Sequence, residues 1–139
     1  MADAALPQGF SFHHLGYACT SIARERSVFE LLGYQQEGHA FSDPVQRVNG
    51  CFMVGAGPRI ELLENSEGSN TLSPWLAAGT RLYHLAYEVE STLDEALRWV
   101  KQERARVVVQ PVPAVAFGGR QICFVMFRQG LLIELIERP

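Results

Sequence analysis

Four residues of this chain combine a chemically useful type with a repeated setting: His14, Glu61, His84 and Glu134. His14-Leu15-Gly16-Tyr17 is answered by His84-Leu85-Ala86-Tyr87, and Ile60-Glu61-Leu62-Leu63-Glu64 by Ile133-Glu134-Leu135-Ile136-Glu137. Two matched motifs in matched order mark an internal duplication. Imidazole nitrogens and carboxylate oxygens are ligands that divalent metals take up readily. A set of two of each, once per copy, therefore reads as one metal-holding group.

Strand parity says where these side chains point, because alternate residues of a strand share a face. His14 shares its face with Gly16 and Ala18, while Leu15 and Tyr17 point the other way. His84 shares its face with Ala86, opposite Leu85 and Val89. Each histidine thus sits among small residues on the side that leaves open space. Ile60 and Leu62 give one strand its helix-facing side, which puts Glu61 with Leu63 on the other. Ile133 and Leu135 do the same for Glu134, Leu132 and Ile136. A carboxylate set between apolar residues is costly to bury alone. Two carboxylates and two neutral imidazoles around a divalent cation remove that cost and neutralise the ion, leaving two positions of an octahedron for water or substrate. Taken singly, each residue would pass as a satisfied core histidine or a solvent-facing strand glutamate; the duplication favours the metal. The neighbours His13, Glu64 and Glu137 fall on the wrong face and are expected to be structural or exposed, and His39, without a counterpart, belongs on the surface.

The elements that must position these residues follow from patterning. Phe12 to Cys19 reads as a strand. Thr20 or Ser21 caps a helix over Ile22 to Leu32, with Ile22, Val28, Phe29, Leu31 and Leu32 as its apolar stripe, and Gly33 stops it. Strands follow at Tyr34 to Phe41 and Val45 to Val54, then a Gly55-Ala56-Gly57-Pro58 turn into a strand from Arg59 to Glu64. Asn65 to Gly79 is a polar connector with a helical turn at Leu72 to Ala78. Leu82 to Val89 restarts the order. Thr92 and Glu95 form a capping box for a helix through Glu103 with Leu93, Ala96, Leu97 and Val100 inside, and strands follow at Arg106 to Gln110, Gln121 to Arg128 and Leu131 to Glu137. The expectation is an α+β fold of two tandem βαβββ modules, at about 12–64 and 82–137, joined by a connector at 65–80 within a single domain spanning 1–139.

The 139 residues hold one domain's worth of core, and 47% apolar with 19% charged residues suits a globular protein. A formal net charge of −3 shows no basic footprint for nucleic acid. No apolar run nears the roughly 20 residues that span a bilayer, and Met1 to Gly9 lacks the basic start and apolar core of a signal peptide. Cys19, Cys51 and Cys123 are odd in number and widely spaced, as expected of reduced thiols serving as small core residues in a cytoplasmic protein.

At these residues the chain resembles the vicinal oxygen chelate superfamily, over about residues 12 to 137. His13-His14-Leu15-Gly16, Ser73-Pro74 and His84-Leu85-Ala86-Tyr87-Glu88-Val89 look more like its methylmalonyl-CoA epimerase branch than like glyoxalase I. The resemblance implies a cup-shaped mixed sheet with helices outside, and carries the ligand roles onto His14, Glu61, His84 and Glu134, with Zn, Ni, Co, Mn or Fe as the metal. It implies a lyase or isomerase that moves a proton next to a carbonyl of a small substrate such as a thioester, with Glu134 as ligand and base, and a homodimer. The epimerases place a catalytic glutamate ahead of the third strand; here Ser42-Asp43-Pro44-Val45-Gln46-Arg47-Val48 offers only Asp43. Where glyoxalase I usually has an Asp-Pro-Asp-Gly-type turn before the last strand, this chain has Arg128-Gln129-Gly130.

In the loop Ala116-Phe117-Gly118-Gly119-Arg120, Arg120 could meet an anionic group of the substrate, or the loop is a plain turn with a surface arginine; Arg47 and Gln121 are further substrate-binding candidates. Two other activities stay open. An extradiol-type dioxygenase would use Fe(II) on His14, His84 and Glu134, with Glu61 occupying a position oxygen chemistry needs. A drug-sequestering module of the bleomycin-resistance type would use the cup without catalysis.

Overall fold

The computed structural model describes residues 9–139, so most of the lead-in Met1 to Gly9 lies outside the described residues. The fold is α+β, and its elements run β1 (Ser11–Ala18), α1 (Ile22–Leu31), β2 (Gln35–Asp43), β3 (Val48–Val54), β4 (Ile60–Asn65), α2 (Ser73–Ala77), β5 (Leu82–Glu88), α3 (Leu93–Gln102), β6 (Arg106–Pro113), a 3₁₀ turn at Val115–Phe117, β7 (Gln121–Met126) and β8 (Leu132–Ile136). This is βαβββ written twice, as the repeat requires. The chain forms two compact units, one of residues 14–83 and one of residues 9–13 with 84–139.

In the first unit the strands lie in the order β2-β3-β4-β1. β1 runs parallel to β4, with Gly16 opposite Glu61, and β3 runs antiparallel to β4, with Phe52 opposite Glu61. Ile60 and Leu62 face the α1 side with Cys51 and Met53, and Ile22, Phe29 and Tyr34 pack on them. The opposite face gathers Ala18, Val48, Leu63 and Leu72 beneath Trp75 and Leu76 of α2. Helix α1 starts where Ser21 Oγ accepts the N–H of Arg24. Glu64, on the face away from Glu61, accepts the N–H of Ile22 at 2.8 Å; it is structural, as its parity indicated.

The expected apolar stripe of α1 is corrected in one respect. Ile22 and Phe29, two turns apart, join the core, but Val28, Leu31 and Leu32 are 50%, 85% and 65% exposed. Spaced i, i+3 and i+4, these three make a second stripe on another face of the helix. The β2–β3 strands also stop short of Pro44 to Arg47, because the Asp43 carboxylate accepts the N–H groups of Val45 and Gln46 and closes a turn.

In the second unit the order is β5-β8-β7-β6. β5 runs parallel to β8 with Ala86 opposite Glu134, and β7 antiparallel to β8 with Phe124 opposite Glu134. Helix α3 buries the four expected residues, Leu93, Ala96, Leu97 and Val100, against Cys123, Val125, Ile133 and Leu135. Thr92 Oγ1 accepts the N–H of Glu95 at its start. Phe10 packs on Tyr87 and, edge to face, on Trp99. Among the described residues no helix is long and apolar enough to cross a membrane.

Candidate functional site

Within residues 14–83, β1 and β4 bring a histidine and a glutamate together. Gly16 stands directly opposite Glu61, and His14, two residues earlier on the same face, reaches it over that small neighbour. His14 Nε2 lies 3.0 Å from Glu61 Oε1. The imidazole is fully buried and the glutamate 5% exposed.

The second unit repeats the construction on β5 and β8. Ala86 takes the place of Gly16, and His84 Nε2 lies 3.2 Å from Glu134 Oε1. Both residues are buried. The same pair, on the same two strands of each module, arises from the same register rather than from a loop. Each unit thus offers an imidazole nitrogen and a carboxylate oxygen, the donors a divalent cation takes up. The imidazole and carboxylate of each unit suit such an ion chemically.

Phenylalanines complete each pair. Phe52, opposite Glu61 on β3, packs its ring against the His14 imidazole with centroids 5.3 Å apart and planes at 70°. Phe124, opposite Glu134 on β7, does the same to His84 at 5.1 Å and 85°. Neither stood out from the sequence, although Cys51-Phe52 is answered by Cys123-Phe124 in the matching strands; that dipeptide was the available signal.

The other expected residues have definite places. Asp43 is 1% exposed, and besides the two N–H groups of its turn it accepts the side-chain amide of Gln46 at 3.1 Å. Arg47 holds a left-handed φ of 61° in that turn and donates to the Gly68 carbonyl. Arg120 donates to Glu88 Oε2 at 2.7 Å and to the carbonyl of Glu137, with its guanidinium 5.6 Å from the Phe117 ring centroid. Gln121 is exposed, and its backbone N–H donates to the Glu137 carboxylate. His39 is exposed, and His13 packs edge to face on Phe117.

The three cysteines are buried and unbridged. Burial pushes the Cys19 and Cys123 thiols up to about 12, and lesser contributions come from Glu25 beside Cys19 and Glu134 beside Cys123. Burial also raises Cys51. Buried neutral thiols are poor nucleophiles, which leaves the histidines and carboxylates as the chemical groups of the fold.

Among solved structures, a hypothetical protein from Bacillus halodurans C-125 is 28% identical with a TM-score of 0.81, over 95% of this chain and 96% of that one. Methylmalonyl-CoA epimerase from Mycobacterium tuberculosis is 22% identical with a TM-score of 0.77, over 96% and 93%. A methylmalonyl-CoA epimerase in complex with methylmalonyl-CoA and NH4+ is 20% identical with a TM-score of 0.74, over 94% and 95%. At these identities the two epimerases speak for the fold. No curated protein matches the chain significantly. A sequence model of the Glyoxalase/Bleomycin resistance protein/Dioxygenase superfamily matches residues 13–124, and the chain belongs to that superfamily, the vicinal oxygen chelate proteins that its duplicated motifs resemble.

Proposed function

We propose that this protein is a metal-dependent isomerase or lyase that moves a proton at a carbon next to a carbonyl, and that His14, Glu61, His84 and Glu134 hold its divalent ion together. The carrying observation is the duplicated buried pair: His14 with Glu61, and His84 with Glu134. Buried polar groups of this kind are retained where they are paired or bind a metal. When bound, a divalent ion supplies Lewis acidity that polarises a carbonyl oxygen and makes the adjacent C–H more acidic.

The chain's own residues would then do the rest. Glu134, a buried carboxylate, takes the proton and returns it, while His14 and His84 present imidazole nitrogens toward the ion. Gly16 and Ala86 put only small side chains opposite the two glutamates. A thioester is the first substrate class to consider, because structural neighbours include an epimerase in complex with methylmalonyl-CoA.

Solvent deuterium exchange tests the reading. Protein purified without chelator is incubated in deuterated water with a panel of acyl-CoA thioesters and glutathione hemithioacetals. Exchange at the carbonyl-adjacent carbon of at least one member is expected, lost on metal stripping and restored by a divalent ion. Tight binding without exchange across the panel would replace this proposal with a sequestering role.

A further inference from the structure

Phe52 and Phe124 occupy equivalent places, and the equivalence is exact enough to carry a role. Each sits on the strand antiparallel to the one that bears the glutamate, directly opposite that glutamate. Directly opposed residues of a ladder share a face, so each ring is delivered to the face of its His–Glu pair. Each then meets an imidazole edge to face, at 5.3 Å and 70° for His14 and at 5.1 Å and 85° for His84. The same contact is present in each copy of the duplicated module.

A histidine on a strand has a soft, roughly two-fold torsion about Cβ–Cγ. Turning the ring over exchanges Nε2 and Nδ1 for carbon and takes the donor atom away from the carboxylate. A phenyl ring packed edge to face on the imidazole crowds the space that turn needs. It also walls the pair with carbon, which strengthens polar interactions inside by excluding water. Backbone register fixes where Cβ stands; it does not fix the ring.

We infer that Phe52 and Phe124 are positioning residues that hold the His14 and His84 imidazoles with Nε2 toward Glu61 and Glu134. In this role they act through the histidines. The inference rests on the metal-holding reading above for its consequence, although the ring orientation itself does not.

The test uses Phe52→Leu and Phe124→Leu, which keep an apolar side chain and remove the ring. In the metal-free protein, long-range nitrogen NMR of the imidazoles is expected to show one fixed ring orientation for each histidine in the parent. The corresponding signal should be averaged in each Leu variant, at His14 for Phe52→Leu and at His84 for Phe124→Leu. With cobalt(II) added, each variant should bind about 10- to 100-fold more weakly, the usual range for partners that orient ligands, and its visible absorption bands should shift. Should either Leu variant fail to fold, the Met variant at that position replaces it. Unchanged imidazole signals and unchanged cobalt(II) affinity would overturn the inference while leaving the metal site standing. Ordered imidazoles in a parent that binds no cobalt(II) would instead sink the metal reading and leave only the orientation.

Discussion

His14 Nε2 and Glu61 Oε1 stand 3.0 Å apart on parallel neighbouring strands, with Gly16 directly opposite Glu61. Since the pair is buried, any ion it binds is linked to folding. Free metal at 100 times its dissociation constant should stabilise the protein by about 2.7 kcal/mol, a rise in Tm of roughly 10 °C for a chain of this size. His84→Ala and Glu61→Leu should each lose most of that rise. Calorimetry with and without metal measures it; a variant that keeps the whole shift would remove its residue from the ligand set.

The helix caps give a check on the fold that no metal touches. Glu64 accepts the first N–H of α1 and the side-chain amide of Asn49. Glu64→Ala should cost about 1–3 kcal/mol, as expected when two part-buried donors lose a charged acceptor. Thr92→Ala, at the start of α3, should cost about 1 kcal/mol. Urea unfolding reads both, and the metal shift should persist in each variant.

Much of this arrangement is legible in the letters. The repeat of His-Leu-x-Tyr and Ile-Glu-Leu names the four polar residues, and strand parity places Glu64 and Glu137 on the other side, where they accept backbone N–H groups. The phenylalanines were less legible because Phe52 and Phe124 lie inside apolar strand runs, where one more ring carries no pattern of its own. Helix α1 misleads for a related reason. Periodicity counts apolar residues without saying which face finds a partner, and Leu31 stays 85% exposed. Leu31→Gln should therefore change stability by less than about 0.5 kcal/mol, whereas Leu97→Ala on the buried face of α3 should cost about 2–5 kcal/mol.

The thiols predict an alkaline limit. Burial raises Cys19 and Cys123 from 9.0 to about 12 in the folded state. Between those values the unfolded chain gives up protons that the folded chain keeps, so the unfolded state is favoured progressively. Their contribution is fully present below about pH 9 and is lost as pH rises toward 12. Urea midpoints should fall across that range, and less steeply in Cys123→Ala. Thiolate absorbance should stay low in the native protein at pH 9 and appear on unfolding; its appearance without unfolding would contradict the burial of these groups.

The last prediction decides which carboxylate moves the proton. Asp43 accepts hydrogen bonds inside its own turn, from the N–H groups of Val45 and Gln46 and from the Gln46 side chain. Asp43→Asn keeps an oxygen for the backbone N–H groups and gives up the charge, so it should cost some stability and leave deuterium exchange into substrate within a few-fold of the parent. Glu134 lies on the face of β8 opposite Ala86, against His84. Glu134→Gln keeps an oxygen donor, but its amide cannot take a proton, and loss of a general base typically costs about 10²–10⁴-fold. Measured at saturating metal, so that weakened binding does not enter, exchange should collapse in Glu134→Gln and survive in Asp43→Asn. The reverse ranking would move the base to the β2–β3 turn and leave Glu134 as a ligand only.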